Sequence, residues 1–263
     1  MQKIRRRRAH GSFLVCMLLA LVLLVLAVVY ALYANVTDVE VFKEALNKAD
    51  VNELLAMMMG DGNVPATLST GLSLLDGQNI KAGDLLSGFA ENTINYLLNN
   101  TQEWKPVVTL MGMEIPIPLS EDFYSHMETV KTFVKLGTQA FMVLLGFAGF
   151  LLLWVLLTSR KGRSGFSPAG YYIGALLPVF FVIAVVGWAY FDFEGFWAFI
   201  HQHFIQDGIF SDGEVIMQVF TTDMFKSFMF PIVKTFAMLL GGILALPVVV
   251  APLCNLIKGS PKA

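Results

Sequence analysis

Four apolar runs dominate the chain, and each is about as long as a helix must be to cross a hydrocarbon layer: Phe13 to Leu32, Val134 to Leu157, Pro168 to Tyr190 and Phe236 to Ile257. A bilayer core ~30 Å thick takes roughly 20 residues at 1.5 Å each, and no fifth run qualifies. The runs divide the chain into a basic inner tail at 1–12, spans at 13–33, 134–157, 168–190 and 234–257, and an inner loop at 158–167. An outer unit at 34–133, a second outer segment at 191–233 and an inner tail at 258–263 complete the plan. The expected fold is therefore mainly α and polytopic, with four membrane-spanning helices and a small, mostly helical outer unit containing a short β-hairpin.

Within the outer unit, polar residues punctuate short amphipathic stretches. Asp38 is placed to cap a helix carrying Val41, Ala45 and Leu46, and Asp50 with Glu53 three residues on is a capping box opening Val51 to Met59, which Gly60 ends. A third helix fits Asp84 to Asn99. Val107 to Ile117 reads as two short strands turning near Gly112. Ser120 then caps a helix with Glu121 and Asp122 in its first turn, and nothing interrupts it before Arg160. His126 on this helix stands eight residues before Val134, or about 12 Å beyond the start of the apolar run. In the second outer segment, Phe193, Phe196, Trp197, Ile200 and Phe204 form one apolar stripe on a helix. Such a stripe lies in the membrane interface or packs on the first outer unit.

Charge sets the orientation. If the N-terminus lies inside, the inner segments hold ten basic residues and no acid, while all twenty acids and the other eight lysines lie outside, a formal +10 against −12. Both ends are then expected in the cytoplasm. The first apolar run exceeds the 7 to 15 residues of a secretory leader core and is followed by a poor cleavage site, so it reads as an anchor. Cys16 and Cys254 both fall in spans toward the reducing side, as small packing residues with no disulfide framework. There is no internal repeat, no phosphate- or dinucleotide-binding glycine pattern, no metal-type cysteine pair and no basic stripe for nucleic acid. The charged residues in the spans are Lys135 and Lys234, each near an outer end, so a transport pathway has no relay.

Candidate chemistry rests on histidines. His10 lies in the basic tail, whereas His126, His201 and His203 all lie on the outer side. On a helix His201 and His203 point about 200° apart, so they cannot share one metal ion, and no metal or other cofactor is expected. His203 has Asp207 four residues on as a possible orienting partner, while His201 lies against the aromatic body of the stripe. Periodicity does not choose between them.

The stretch Ser120 to Lys131, with His126-Met127-Glu128-Thr129-Val130-Lys131, resembles the His-Met-x-Asp-Val-Lys stretch of the lipoprotein intramolecular transacylases, a family of four-span membrane proteins. Phe199-Ile200-His201-Gln202-His203-Phe204, followed by Asp207, Phe210, Asp212 and Ile216 to Phe225, is similar to that family's Phe-His-x-x-Phe-Phe stretch and the positions after it. Tyr96-Leu97 is similar to its Tyr-Leu stretch. Thr129 stands where the family has an aspartate, Ile200 where it has Phe, and Phe210 where Trp is usual.

The resemblance implies an acyltransferase of the bacterial cytoplasmic membrane, with a diacyl lipoprotein or related lipid ester as substrate amid membrane lipids. An acyl chain would move from the glyceryl ester on the N-terminal Cys to its α-amino group, with His126 and His201 as the matched pair. Tyr96, Lys131, His203 and Asp207 would be alternative or supporting residues. An imidazole base adds about 10² to 10⁴ in rate to such an aminolysis, and the absence of a Ser or Cys nucleophile motif points to direct transfer. The residues alone leave a rival open, a non-catalytic protein whose acidic outer unit binds a partner or cations. Oligomeric state is not legible.

Overall fold

The computed structural model describes residues 2–60, 81–110, 112–160, 165–205 and 214–258. In chain order they form α1 (Gln2–Val36), α2 (Val39–Leu46), α3 (Val51–Gly60), α4 (Ala82–Leu85), α5 (Ser87–Leu97), β1 (Val107–Leu110), β2 (Met113–Pro116), α6 (Glu121–Arg160), α7 (Pro168–Phe191) and α8 (Phe193–His203). A 3₁₀ turn (Val215–Gln218), α9 (Thr222–Ser227) and α10 (Met229–Lys258) follow. Among the described residues the protein is mainly α with one two-stranded hairpin, and four helices are long and apolar enough to span a membrane. These elements fall into two compact units.

The first unit, Met1–Ala31, Gly137–Phe191 and Val233–Ala263, is built from the four long helices. Its most central helix is α1, where 39% of the most apolar stretch is buried, against 17% in α6 and α7 and 11% at α10. The rest of that apolar surface faces outward, with Val143 72% exposed and Phe181 69%. A water-soluble protein does not leave so much apolar surface uncovered; a membrane protein must. Helices α1 and α7 meet through small residues. A Cβ on Gly170 or Gly174 would run into the backbone carbonyls of Phe13 or Met17, so only glycine allows this approach. Tyr171 is buried there and donates its hydroxyl to the Ile243 carbonyl at 2.9 Å. Cys16 and Cys254 are buried free thiols in the same core.

The second unit, Leu32–Leu136 and Asp192–Ile232, has its own core of Phe42, Leu46, Leu54, Phe89, Trp104, Val108, Phe123, Ile216 and Met224. Asp38 caps α2 as expected, accepting from the amides of Glu40 and Val41. At α3 only half of the expected capping box forms: Asp50 accepts from the Glu53 amide at 3.0 Å, but its own amide donates to the Gln218 carbonyl instead of to the Glu53 side chain. That bond ties α3 to the 3₁₀ turn. The single helix expected over Asp84 to Asn99 is two, because the backbone turns at the fully buried Leu86 (φ −94°, ψ 15°). Gly83 lies so close to Lys43 of α2 and to Asn47, which caps that helix, that a Cβ would not fit, and this contact sets α4 apart from α5. Asn99 ends α5 in the left-handed region at φ +62°, with the Asn100 amide reaching back to Asn95 O.

The hairpin pairs Val107 with Pro116 and Leu110 with Met113 in antiparallel register, and Gly112 turns it at φ +78°. With only two strands, both are edges, which is where proline is tolerated.

Candidate active site

Within the second unit, α6 and α8 bring His126 and His201 together. The first turn of α6 is held by Ser120, whose Oγ accepts from the Phe123 amide at 3.3 Å and whose hydroxyl donates to Glu214 Oε2 at 3.2 Å. Glu121 and Asp122 sit at the positive end of this helix, where carboxylates are favoured. Their spacing turns Phe123 and Met127 into the core and puts His126 beside them, only 8% exposed. Asp192 caps α8 by accepting from the Gly195 amide at 2.9 Å, and α8 ends at His203.

The His126 and His201 rings lie with centroids 5.8 Å apart and planes within 13°. The pair belongs to a closed circuit of six aromatic side chains. His126 touches Phe123 (5.9 Å), Phe123 touches Phe220 (5.8 Å), and Phe220 stacks on Phe225 (5.7 Å). Phe225 meets Trp197 (4.3 Å), which meets His201 (4.6 Å). Each ring is braced on both sides, so neither imidazole turns freely.

Nδ1 of His201 lies 3.1 Å from the Trp197 carbonyl, and Nδ1 of His203 lies 2.9 Å from that of Phe199. A carbonyl only accepts, so each Nδ1 carries a hydrogen, and the neutral ring keeps its lone pair on Nε2. The two histidines thus share one local geometry and differ in what they face. His201 meets His126. His203 packs on Phe199 (4.3 Å), is exposed, and lines a cleft of ≈ 570 Å³ with Ser125, Glu128, Thr129, Thr132, Phe133, Leu136 and Phe204.

The supporting residues fall elsewhere. Tyr96 is buried and stacks on Trp104 (6.2 Å), which stacks on Phe123 (5.8 Å), the neighbour of His126. Burial, and secondarily the charge of Glu128, pushes its phenol above the usual range, so it stays protonated at neutral pH. Lys131 lies 4.0 Å over the Tyr96 ring and donates to the Thr101 carbonyl at 3.2 Å, which fastens the chain after α5 to α6. Asp207 lies outside the described residues, as do Phe210 and Asp212.

The apolar stripe packs partly within this unit: Phe193 is buried and Trp197 sits on Phe225, while Phe204 remains exposed. The aromatic circuit was not readable from sequence, because Phe123, Trp197, Phe220 and Phe225 are scattered over a hundred residues. Their one local signal was the one-turn spacing of Trp197 and His201.

A family model described as lipoprotein intramolecular transacylase (Lit) matches residues 12–225, a stretch that includes His126, His201 and His203 and most of both units. No curated protein and no solved structure matches the chain significantly.

Proposed function

The chain belongs to the lipoprotein intramolecular transacylase family, a multi-pass membrane protein whose family activity is acyl transfer within lipoproteins, and from that premise we propose how it works. The substrate is a diacylated lipoprotein whose N-terminal Cys carries a glyceryl thioether. The product carries one of the two acyl chains as an amide on the α-nitrogen, with the corresponding glyceryl hydroxyl set free. The observation that supports this reading best is the stacking of His126 on His201 in a braced aromatic surround.

In the reaction, Nε2 of His201 takes a proton from the α-amine as the nitrogen attacks the ester carbonyl. The C–N bond forms, the C–O bond to glyceryl breaks, and the leaving oxygen receives a proton through His126. No proton is gained or lost overall. The Trp197 carbonyl holds His201 in the tautomer this role needs. Tethering of amine and ester in one molecule supplies high effective concentration, and the aromatic surround limits water as a competing nucleophile. His203, facing the cleft, takes no part in proton transfer, and Tyr96 and Lys131 hold α5 and α6 together.

The one-sided distribution of charge supports an active site on the outer face of a bacterial cytoplasmic membrane, with both chain ends inside. The test is co-expression with a diacyl lipoprotein followed by tandem mass spectrometry of its N-terminal peptide. An acyl group moved to the amino terminus in the presence of the chain supports the reading. An unchanged lipoprotein at full membrane abundance of the chain removes it and leaves the binding role.

A further inference from the structure

The cleft beside the histidine pair changes character along α6. Ser125, Thr129 and Thr132 present a ladder of hydroxyls on one face, and Phe133 and Leu136 continue that face into the apolar run. Ser125 to Leu136 spans about 16 Å of helix. Such a surface suits an amphiphile with an uncharged polar part and an alkyl chain, and ≈ 570 Å³ is an ordinary ligand-sized volume. Thr129 stands one turn after His126, so an ester lying on the ladder is close to the pair.

Every glycerophospholipid around the protein carries the same glyceryl esters, so shape alone cannot select the lipoprotein anchor. Charge can. Among the described residues that line the cleft, Glu128 is the one carboxylate and there is no Lys or Arg. Among the described residues no basic group lies within 4.0 Å of its carboxylate. Lys131, one turn on, is turned to Thr101 and Tyr96. A phosphate headgroup entering this mouth meets a bare like charge, whereas a diacylglyceryl thioether carries none.

We infer that this cleft binds the uncharged diacylglyceryl part of the substrate and that Glu128 is a specificity-determining residue that keeps anionic phospholipids out. The identity of the occupant rests on the transacylase reading; the exclusion of phosphate rests on the cleft's own charge. An exposed like-charge contact of this kind is worth about fivefold in occupancy.

The experiment uses the full chain in nanodiscs of neutral lipid, doped with equal amounts of diacylglycerol or phosphatidylglycerol bearing a photoactivatable acyl chain. Crosslinks are mapped on the peptide containing residues 125–136. Wild type should be labelled about fivefold more by the diacylglycerol probe, and Glu128→Lys should bring the two probes level or reverse them. Glu121→Gln, which removes a charge from the same helix outside the cleft, should leave the wild-type ratio intact. Equal labelling of wild type by both probes, an unchanged ratio in Glu128→Lys, or no label on this peptide would overturn the inference. Because the readout needs no turnover, a charge-dependent ratio in a chain that transfers no acyl group would keep the cleft's selectivity and remove the transacylase reading alone.

Discussion

At His201 the backbone fixes the tautomer: the Trp197 carbonyl accepts the Nδ1 hydrogen, and Nε2 keeps its lone pair. ¹⁵N spectra of the labelled protein should show His201 with Nδ1 protonated in its neutral form, and the opposite tautomer would undercut its role as base. Trp104 donates Nε1–H to Thr93 at 3.0 Å inside the core and stacks on Tyr96 and Phe123. Trp104→Phe should keep most of the packing and lose about 1 kcal/mol or more through the stranded Thr93 hydroxyl, measured as thermal stability in detergent. The raised pKa of Tyr96 has a definite sign in stability. Above pH ~10 the unfolded chain releases this proton before the folded one does, so stability falls as pH rises through the alkaline range and is untouched at neutral pH. Tyr96→Phe should show a smaller fall in melting temperature between about pH 9 and pH 11; an equal fall would show that Tyr96 is not the group responsible.

At the scale of elements, glycine contacts and caps do most of the positioning. Gly174→Ala should push α7 off the Met17 backbone and cost about 1–3 kcal/mol, whereas Gly187→Ala on the same helix, with open space around it, should cost little. Polar punctuation made many of these elements legible in advance. Asp38, Ser120 and Gly112 each mark a boundary that the structure uses, because caps and turns depend on local hydrogen bonds and local φ. The break at Leu86 was not legible, since it follows from the close approach of Gly83 to α2, and contact between segments far apart in sequence leaves no periodic trace. The same reason hid the aromatic circuit while leaving its two histidines visible as residue types.

Over the whole molecule, the long apolar runs carry the account of a four-span protein, and the one-sided distribution of acids supports the proposal that its chemistry faces outward. Both native thiols are buried, so cysteines introduced at exposed positions report topology against a low background. Glu103→Cys should react with a membrane-impermeant maleimide in intact cells, and labelling only after lysis would invert the topology. The most direct test of the central claim is the initial rate of N-acyl formation by the purified chain in nanodiscs on a diacylated lipopeptide, compared with His126→Ala, His201→Ala and His203→Ala. The account predicts a loss of about 10² to 10⁴ for His126→Ala and for His201→Ala, with His203→Ala within about tenfold of wild type. Full activity in His201→Ala, or abolition confined to His203→Ala, would contradict it.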